Sequence, residues 1–109
     1  MDKKEVLSLA ETYATAVKAK FDKAKVILFG SYAKGNYNKY SDIDIAVILK
    51  DYKRLNETQL DLMRLRRNID SRIEPHPFRE KDFINTNPLV SEIIEYGQII
   101  EPKKAIGLL

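Results

Sequence analysis

The chain has 109 residues, of which 44% are hydrophobic and 32% charged, with a formal net charge of +3. That gives room for one small domain with a real core, and excludes a second domain and a disordered chain. With no cysteine, disulfides, thiolate metal sites and cysteine nucleophiles are excluded as well.

The Met1 end is charged (Asp2, Lys3, Lys4, Glu5) and offers no apolar signal core. No apolar run approaches the ~20 residues that cross a bilayer. A cytoplasmic protein without a membrane role is the expectation. Val6, Leu7, Ala10, Tyr13, Ala14, Val17 and Phe21 then recur at spacings of three and four, which predicts an amphipathic helix over 3–20. Val26 to Phe29 is a short apolar run that reads as a buried strand. Gly30-Ser31 ends it, a helical turn is expected at 32–34, and 35–40, rich in Gly, Asn and Tyr, reads as a loop.

Residues 43–49 give the strongest strand signal. Ile43, Ile45, Val47 and Leu49 alternate onto one face; Asp42, Asp44, Ala46 and Ile48 fall on the other. A second helix is expected over 55–69 from Leu55, Leu62, Leu65 and Ile69. A third strand follows over 71–78, its far end demoted to an edge or exit by Pro75 and Pro77. Asn87-Pro88 starts a last helix, with Leu89, Val90, Ile93 and Ile94 on its apolar side and Gly97 as its stop. Ile99 and Ile100 suggest a short final segment. The expected organisation is one domain over 1–101 and a loose tail over 102–109. The order predicts an α+β fold, a small mixed β-sheet backed by helices on one face.

Two carboxylates in an otherwise apolar strand need a reason. Asp42 and Asp44 share a side, and their charges repel unless a cation lies between them. Clustered hard oxygen ligands suit Mg²⁺, which keeps waters and takes phosphate oxygens from a substrate. An isolated Asp-x-Asp more often lines the solvent side of a half-exposed strand, yet here Ala46 and Ile48 continue the same face as apolar. Glu74 shares a face with Arg72 and His76 on the next strand, and reaches the same cation if the two strands are neighbours. Asp70 falls where a turn or cap is expected. Gly30 lets a backbone approach a phosphate closely, and Ser31 adds a hydroxyl donor.

Taken together these pieces are specific. An apolar strand, Gly30-Ser31, ten residues, then Asp42-Ile43-Asp44 in a second apolar strand resembles the nucleotidyltransferase motif of the DNA polymerase beta superfamily. The form "GSYAKG…SDIDIAV" in so short a chain resembles its minimal nucleotidyltransferase (MNT) branch. The resemblance implies the polymerase beta-like fold and a role for each matched position. Gly30 and Ser31 would hold the triphosphate of ATP. Asp42 and Asp44 would bind two Mg²⁺ ions. Glu74 would take the third acidic position, binding one metal and helping to deprotonate the attacking hydroxyl, although many relatives have Asp there. Two such ions about 3.5–4 Å apart require ligands on a rigid strand.

Lys34 and Lys39 lie between the halves of the motif and are candidate phosphate-neutralising residues, against the ordinary use of loop lysines as solvated surface. Tyr32, Tyr37 and Tyr40 are candidates for stacking on a base, with packing the expected use of at least two. Arg64, Arg66, Arg67 and Arg72 read as a solvated helix face or a contact for an acidic partner. The branch resembles the antitoxin half of toxin–antitoxin pairs whose toxin is a HEPN-domain ribonuclease, in which the antitoxin transfers AMP from ATP to a toxin tyrosine. The alternatives are an antitoxin acting by binding alone, or a transferase for a small molecule or RNA. Direct nucleic-acid binding is not expected, because the basic residues form no long stripe with interleaved aromatics.

Overall fold

The computed structural model describes residues 1–103. Helix α1 spans Lys3–Lys20, capped by Asp2, whose side chain accepts from the Glu5 N–H. Strand β1 (Lys25–Phe29) leads through Gly30 into a single-turn helix, α2 (Ser31–Lys34). Strand β2 (Ile43–Leu49) is followed by helix α3 (Leu55–Arg66) and strand β3 (Ile73–Arg79). A 3-10 turn at Glu80–Asp82 precedes helix α4 (Pro88–Tyr96), and strand β4 (Gln98–Ile99) closes the order.

The sheet runs β3-β2-β1-β4. β1 pairs antiparallel with both β2 and β4, whereas β2 and β3 are parallel. A parallel pair needs a crossover connection, and α3 supplies it. The period-2 pattern of β2 divides the molecule. Ile43, Ile45, Val47 and Leu49 join Val26 and Leu28 of β1 in the main core, against Val6, Ala10, Tyr13, Ala14 and Val17 of α1 and Leu62 of α3. The Tyr13 hydroxyl donates to the Leu62 carbonyl at 2.7 Å, which ties α1 to α3. Helices α1 and α3 thus back one face, as expected. Helix α4 lies over the other, where Ile93 packs on Phe29 and Ala46, so helices cover both faces of the sheet rather than the one expected.

Three elements depart most from the sequence expectation. α3 ends at Arg66 rather than 69, and tight turns (Arg67 N–H to Arg64 O, Asp70 N–H to Arg66 O) carry Ile69 onto the core without continuing the helix. β3 starts at Ile73 and runs through both prolines to Arg79, as an edge strand along its whole length. On α4 only Val90 and Ile93 are buried; Leu89 and Ile94 are exposed, so its apolar character exceeds the surface it buries. Of the expected tail, residues 104–109 lie outside the described residues. Lys103 is held on α1, its N–H donating to Thr15 Oγ1 and its ammonium to Ser8 Oγ. No helix of the described residues is long and apolar enough to cross a membrane.

Candidate active site

The motif residues meet where β1 ends and β2 begins. Register places Phe29 of β1 opposite Asp44 of β2, and Asp44 opposite Glu74 of β3. Neighbouring strands lie about 4.8 Å apart, so the backbones of Asp44 and Glu74 are adjacent on the ladder. Asp42 is exposed, one residue before β2, and the next residue is fixed by the Ile43 N–H donating to the Arg72 carbonyl. The approach to Asp42 is ordered by Asn38 and Ser41. The Tyr40 N–H donates to Asn38 Oδ1 at 2.8 Å, and the Asn38 N–H to Ser41 Oγ at 2.9 Å.

Gly30 brings the turn against the carboxylate. Its backbone lies at φ 75°, ψ −153°, a region essentially restricted to glycine. A Cβ at Gly30 would stand 2.4 Å from Asp44 Oδ2. The backbone N–H groups that open α2 follow directly, with Ser31 as the first helical residue.

The other oxygen of Asp44, Oδ1, lies 3.2 Å from His76 Nε2. The His76 ring in turn meets Phe29 edge-on at 5.0 Å. Glu74 is engaged elsewhere, its Oε1 3.7 Å from Arg66 Nη1. Arg66 also donates to the carbonyls of Ser71 and Ile73, at 3.0 and 2.7 Å. Among the described residues, no three His, Asp or Glu side chains stand close enough to hold a metal ion together. The fold therefore brings Asp44 to Gly30 and sets Glu74 on the adjacent rung, with one oxygen of Glu74 facing Arg66.

The lysines are placed differently. Lys34 pairs with Glu92 of α4 and lies 5.3 Å from the Tyr96 ring centre. Its hydrogen bond to Glu92 raises the lysine above its usual range. Lys39 is exposed, 5.1 Å from the centre of its neighbour Tyr40. Tyr32 is buried and stacks on Tyr37 at 4.5 Å, so both are packing residues as expected, whereas Tyr40 is 81% exposed. Asp70 is a turn residue: its Oδ1 accepts from the Arg72 N–H, and the Arg72 guanidinium holds its carboxyl below the usual carboxylate range. Arg66 and Arg72 are thus engaged within the fold, not free on a solvated helix face.

Sequence reasoning placed His76 on the face of Glu74 but did not find its bond to Asp44, nor the hold of Arg66 on Glu74. The first was signalled only by the shared strand face. The second had no local signal, since it depends on how α3 packs against β3.

Comparison with known proteins gives the family and the fold. A family model described as a nucleotidyltransferase domain matches residues 10–100. The chain is 35% identical over 85 residues to "Putative protein adenylyltransferase MJ0141" of Methanocaldococcus jannaschii, over 77% of this chain and 83% of that protein. It is 37% identical over 71 residues to "Putative protein adenylyltransferase MJ1305" of the same organism, over 63% of this chain but only 46% of that longer protein. In fold it is similar to the crystal structure of "a putative nucleotidyltransferase from Sulfolobus solfataricus", with a TM-score of 0.63 and 25% identity over 98% of this chain and 90% of that one. A toxin–antitoxin structure with AMP-PNP shares the fold at a TM-score of 0.61 and 23% identity, over 95% of this chain and 76% of that one. The chain belongs to the nucleotidyltransferase domain family and is a nucleotidyltransferase.

Proposed function

We propose that this protein transfers AMP from ATP to a hydroxyl of a partner protein, namely a tyrosine of a HEPN-domain ribonuclease toxin in the cytoplasm, and so acts as its antitoxin. Both curated relatives are named as protein adenylyltransferases, and one solved relative in fold is a toxin–antitoxin with AMP-PNP. The observation that carries the reading is the approach of Gly30 to Asp44 Oδ2. A glycine turn that opens a helix close to a strand carboxylate supports this reading, because a triphosphate and its cation need backbone donors and carboxylate oxygens side by side.

The donor set fits Mg²⁺: Asp42, Asp44 and Glu74 offer only hard carboxylate oxygens, with Asp44 and Glu74 on adjacent rungs. When bound, Mg²⁺ would neutralise charge at the phosphates. The chain's own residues do the rest. Gly30 and Ser31 bind the triphosphate through backbone N–H groups and the Ser31 hydroxyl. Glu74, released from Arg66, takes the proton of the attacking hydroxyl. The hydroxyl oxygen bonds to the α-phosphorus, and the bond to pyrophosphate breaks in line. Holding the reactants in this geometry supplies much of the rate. Lys34 and Lys39 are left as secondary phosphate contacts, available only if Lys34 leaves Glu92.

Label transfer tests the reading. The protein is incubated with Mg²⁺, α-labelled ATP and a co-expressed HEPN partner. The expected result is a labelled partner band that falls at least about 100-fold with Asp42→Asn/Asp44→Asn. An unlabelled partner whose toxicity the double variant still neutralises would replace this reading with neutralisation by binding alone. A labelled RNA or small molecule in place of the partner would move the acceptor out of the protein class.

A further inference from the structure

His76 stands opposite Ala46 of β2, two residues beyond Glu74. Its Nε2 is 3.2 Å from Asp44 Oδ1. A carboxylate oxygen accepts and does not donate, so the imidazole proton sits on Nε2 and the histidine is the donor. The ring has a fixed seat. It meets Phe29 edge-on at an interplanar angle of 66°, and Phe29 is itself buried against Ala46 and the α4 residue Ile93. A packed path therefore runs from α4 through Phe29 and His76 to one oxygen of Asp44, while the other oxygen faces Gly30.

An aspartate's terminal torsion is soft and broad. One bond from a donor seated against Phe29 is enough to select which oxygen faces the phosphate-binding turn. We propose that His76 is a positioning residue for Asp44: it holds Oδ1 so that Oδ2 is presented at the Gly30–Ser31 turn, and it is not itself a metal ligand. This rests on the reading of Asp44 as a cation ligand given above. Partners that orient a ligating carboxylate typically change metal affinity by about 10–100-fold when removed.

The test uses the full chain and Mn²⁺ as the probe, with bound ion read by electron paramagnetic resonance and AMP transfer measured in parallel. His76→Phe keeps a ring against Phe29 and deletes the donor. His76→Asn, whose amide stops short of Asp44, is a second deletion should His76→Phe fail to fold. His76→Gln restores an N–H near the position of Nε2. The expected result is a loss of Mn²⁺ affinity of about tenfold for His76→Phe and His76→Asn, with His76→Gln within about threefold of the wild type.

Wild-type Mn²⁺ affinity in His76→Phe, beside an Asp44→Asn variant that binds none, overturns the positioning role alone. A His76→Gln variant as weak as His76→Phe overturns it in favour of direct ligation by the imidazole. An Asp44→Asn variant that still binds Mn²⁺ and transfers AMP overturns the site assignment itself, and the inference with it.

Discussion

At Gly30 two independent constraints meet at one residue. The backbone conformation is closed to side-chain-bearing residues, and the space where a Cβ would go is held by Asp44. Gly35 carries only a milder form of the first: φ 86°, ψ 8° is left-handed helical backbone, which other residues adopt at a cost, and nothing lies within 4 Å of a Cβ position. Comparing the two separates strain from displacement. Gly35→Ala is expected to cost about 1 kcal/mol in urea unfolding, the ordinary penalty of a left-handed helix end, and to leave AMP transfer within about twofold. Gly30→Ala should cost about 2–3 kcal/mol and lower transfer at least about tenfold, because Asp44 must turn away from the turn. Equal transfer in the two variants would mean that the Gly30–Asp44 approach has no part in the reaction.

At the scale of elements, β3 shows how an edge strand carries prolines without disrupting the sheet. The Arg72 carbonyl accepts from Ile43 of β2, so positions 72, 74, 76 and 78 turn their backbone groups toward β2, and 73, 75 and 77 turn outward. Pro75 and Pro77 sit where no ladder donor is needed, and the edge loses two N–H groups that could recruit another strand. The outward carbonyls are taken up by α3: Ile73 O accepts from Arg66 and Pro75 O from Gln59. Arg66→Met removes this brace as well as the ion pair to Glu74. It is expected to destabilise by about 1–2 kcal/mol and to speed amide exchange in β3 more than in β2; uniform exchange across the sheet would show that Arg66 does not anchor the edge. The sequence carried much of this fold. The bounds of α1 and β2 were readable from apolar period, as was the start of α4 from Asn87-Pro88. The 3-10 turn at Glu80–Asp82 is too short to leave a period, and the end of α3 was hidden because Ile69 keeps helical spacing while the backbone has already turned. The site divides in the same way. Gly30, Ser31, Asp42 and Asp44 lie in one local run and could be read together. The bond of His76 to Asp44 needs the parallel register of β2 with β3, and the pairing of Arg66 with Glu74 needs the packing of α3 on β3; no local pattern encodes either.

For the molecule as a whole, the union of α1 with α3 inside the main core sets the response to pH. The Tyr13 phenol is buried and donates to the Leu62 carbonyl, and burial pushes it well above its usual value near 10.0. Its native-state value is raised, so its contribution is intact below about pH 10 and is lost as pH climbs toward the folded-state value, because the unfolded chain releases a proton that the native one retains. The slope is about 1.4 kcal/mol per pH unit. On the acid side Asp70, held low by Arg72, stabilises above the ordinary aspartate value near 3.8, and this is lost as pH falls through its depressed folded value. The broadest stability is therefore expected between about pH 4 and 10. Lys34, raised by Glu92, acts in the same alkaline direction, but it lies at the surface and about 0.5 M salt screens it. In that salt, Tyr13→Phe should lose about 1 kcal/mol at pH 7 through the missing hydrogen bond, yet show a flatter decline from pH 10 to 11 than the wild type, so that the two unfolding curves converge. A decline as steep in Tyr13→Phe as in the wild type would assign the alkaline limb to another of the six tyrosines and remove Tyr13 as the group that couples the two helices to pH.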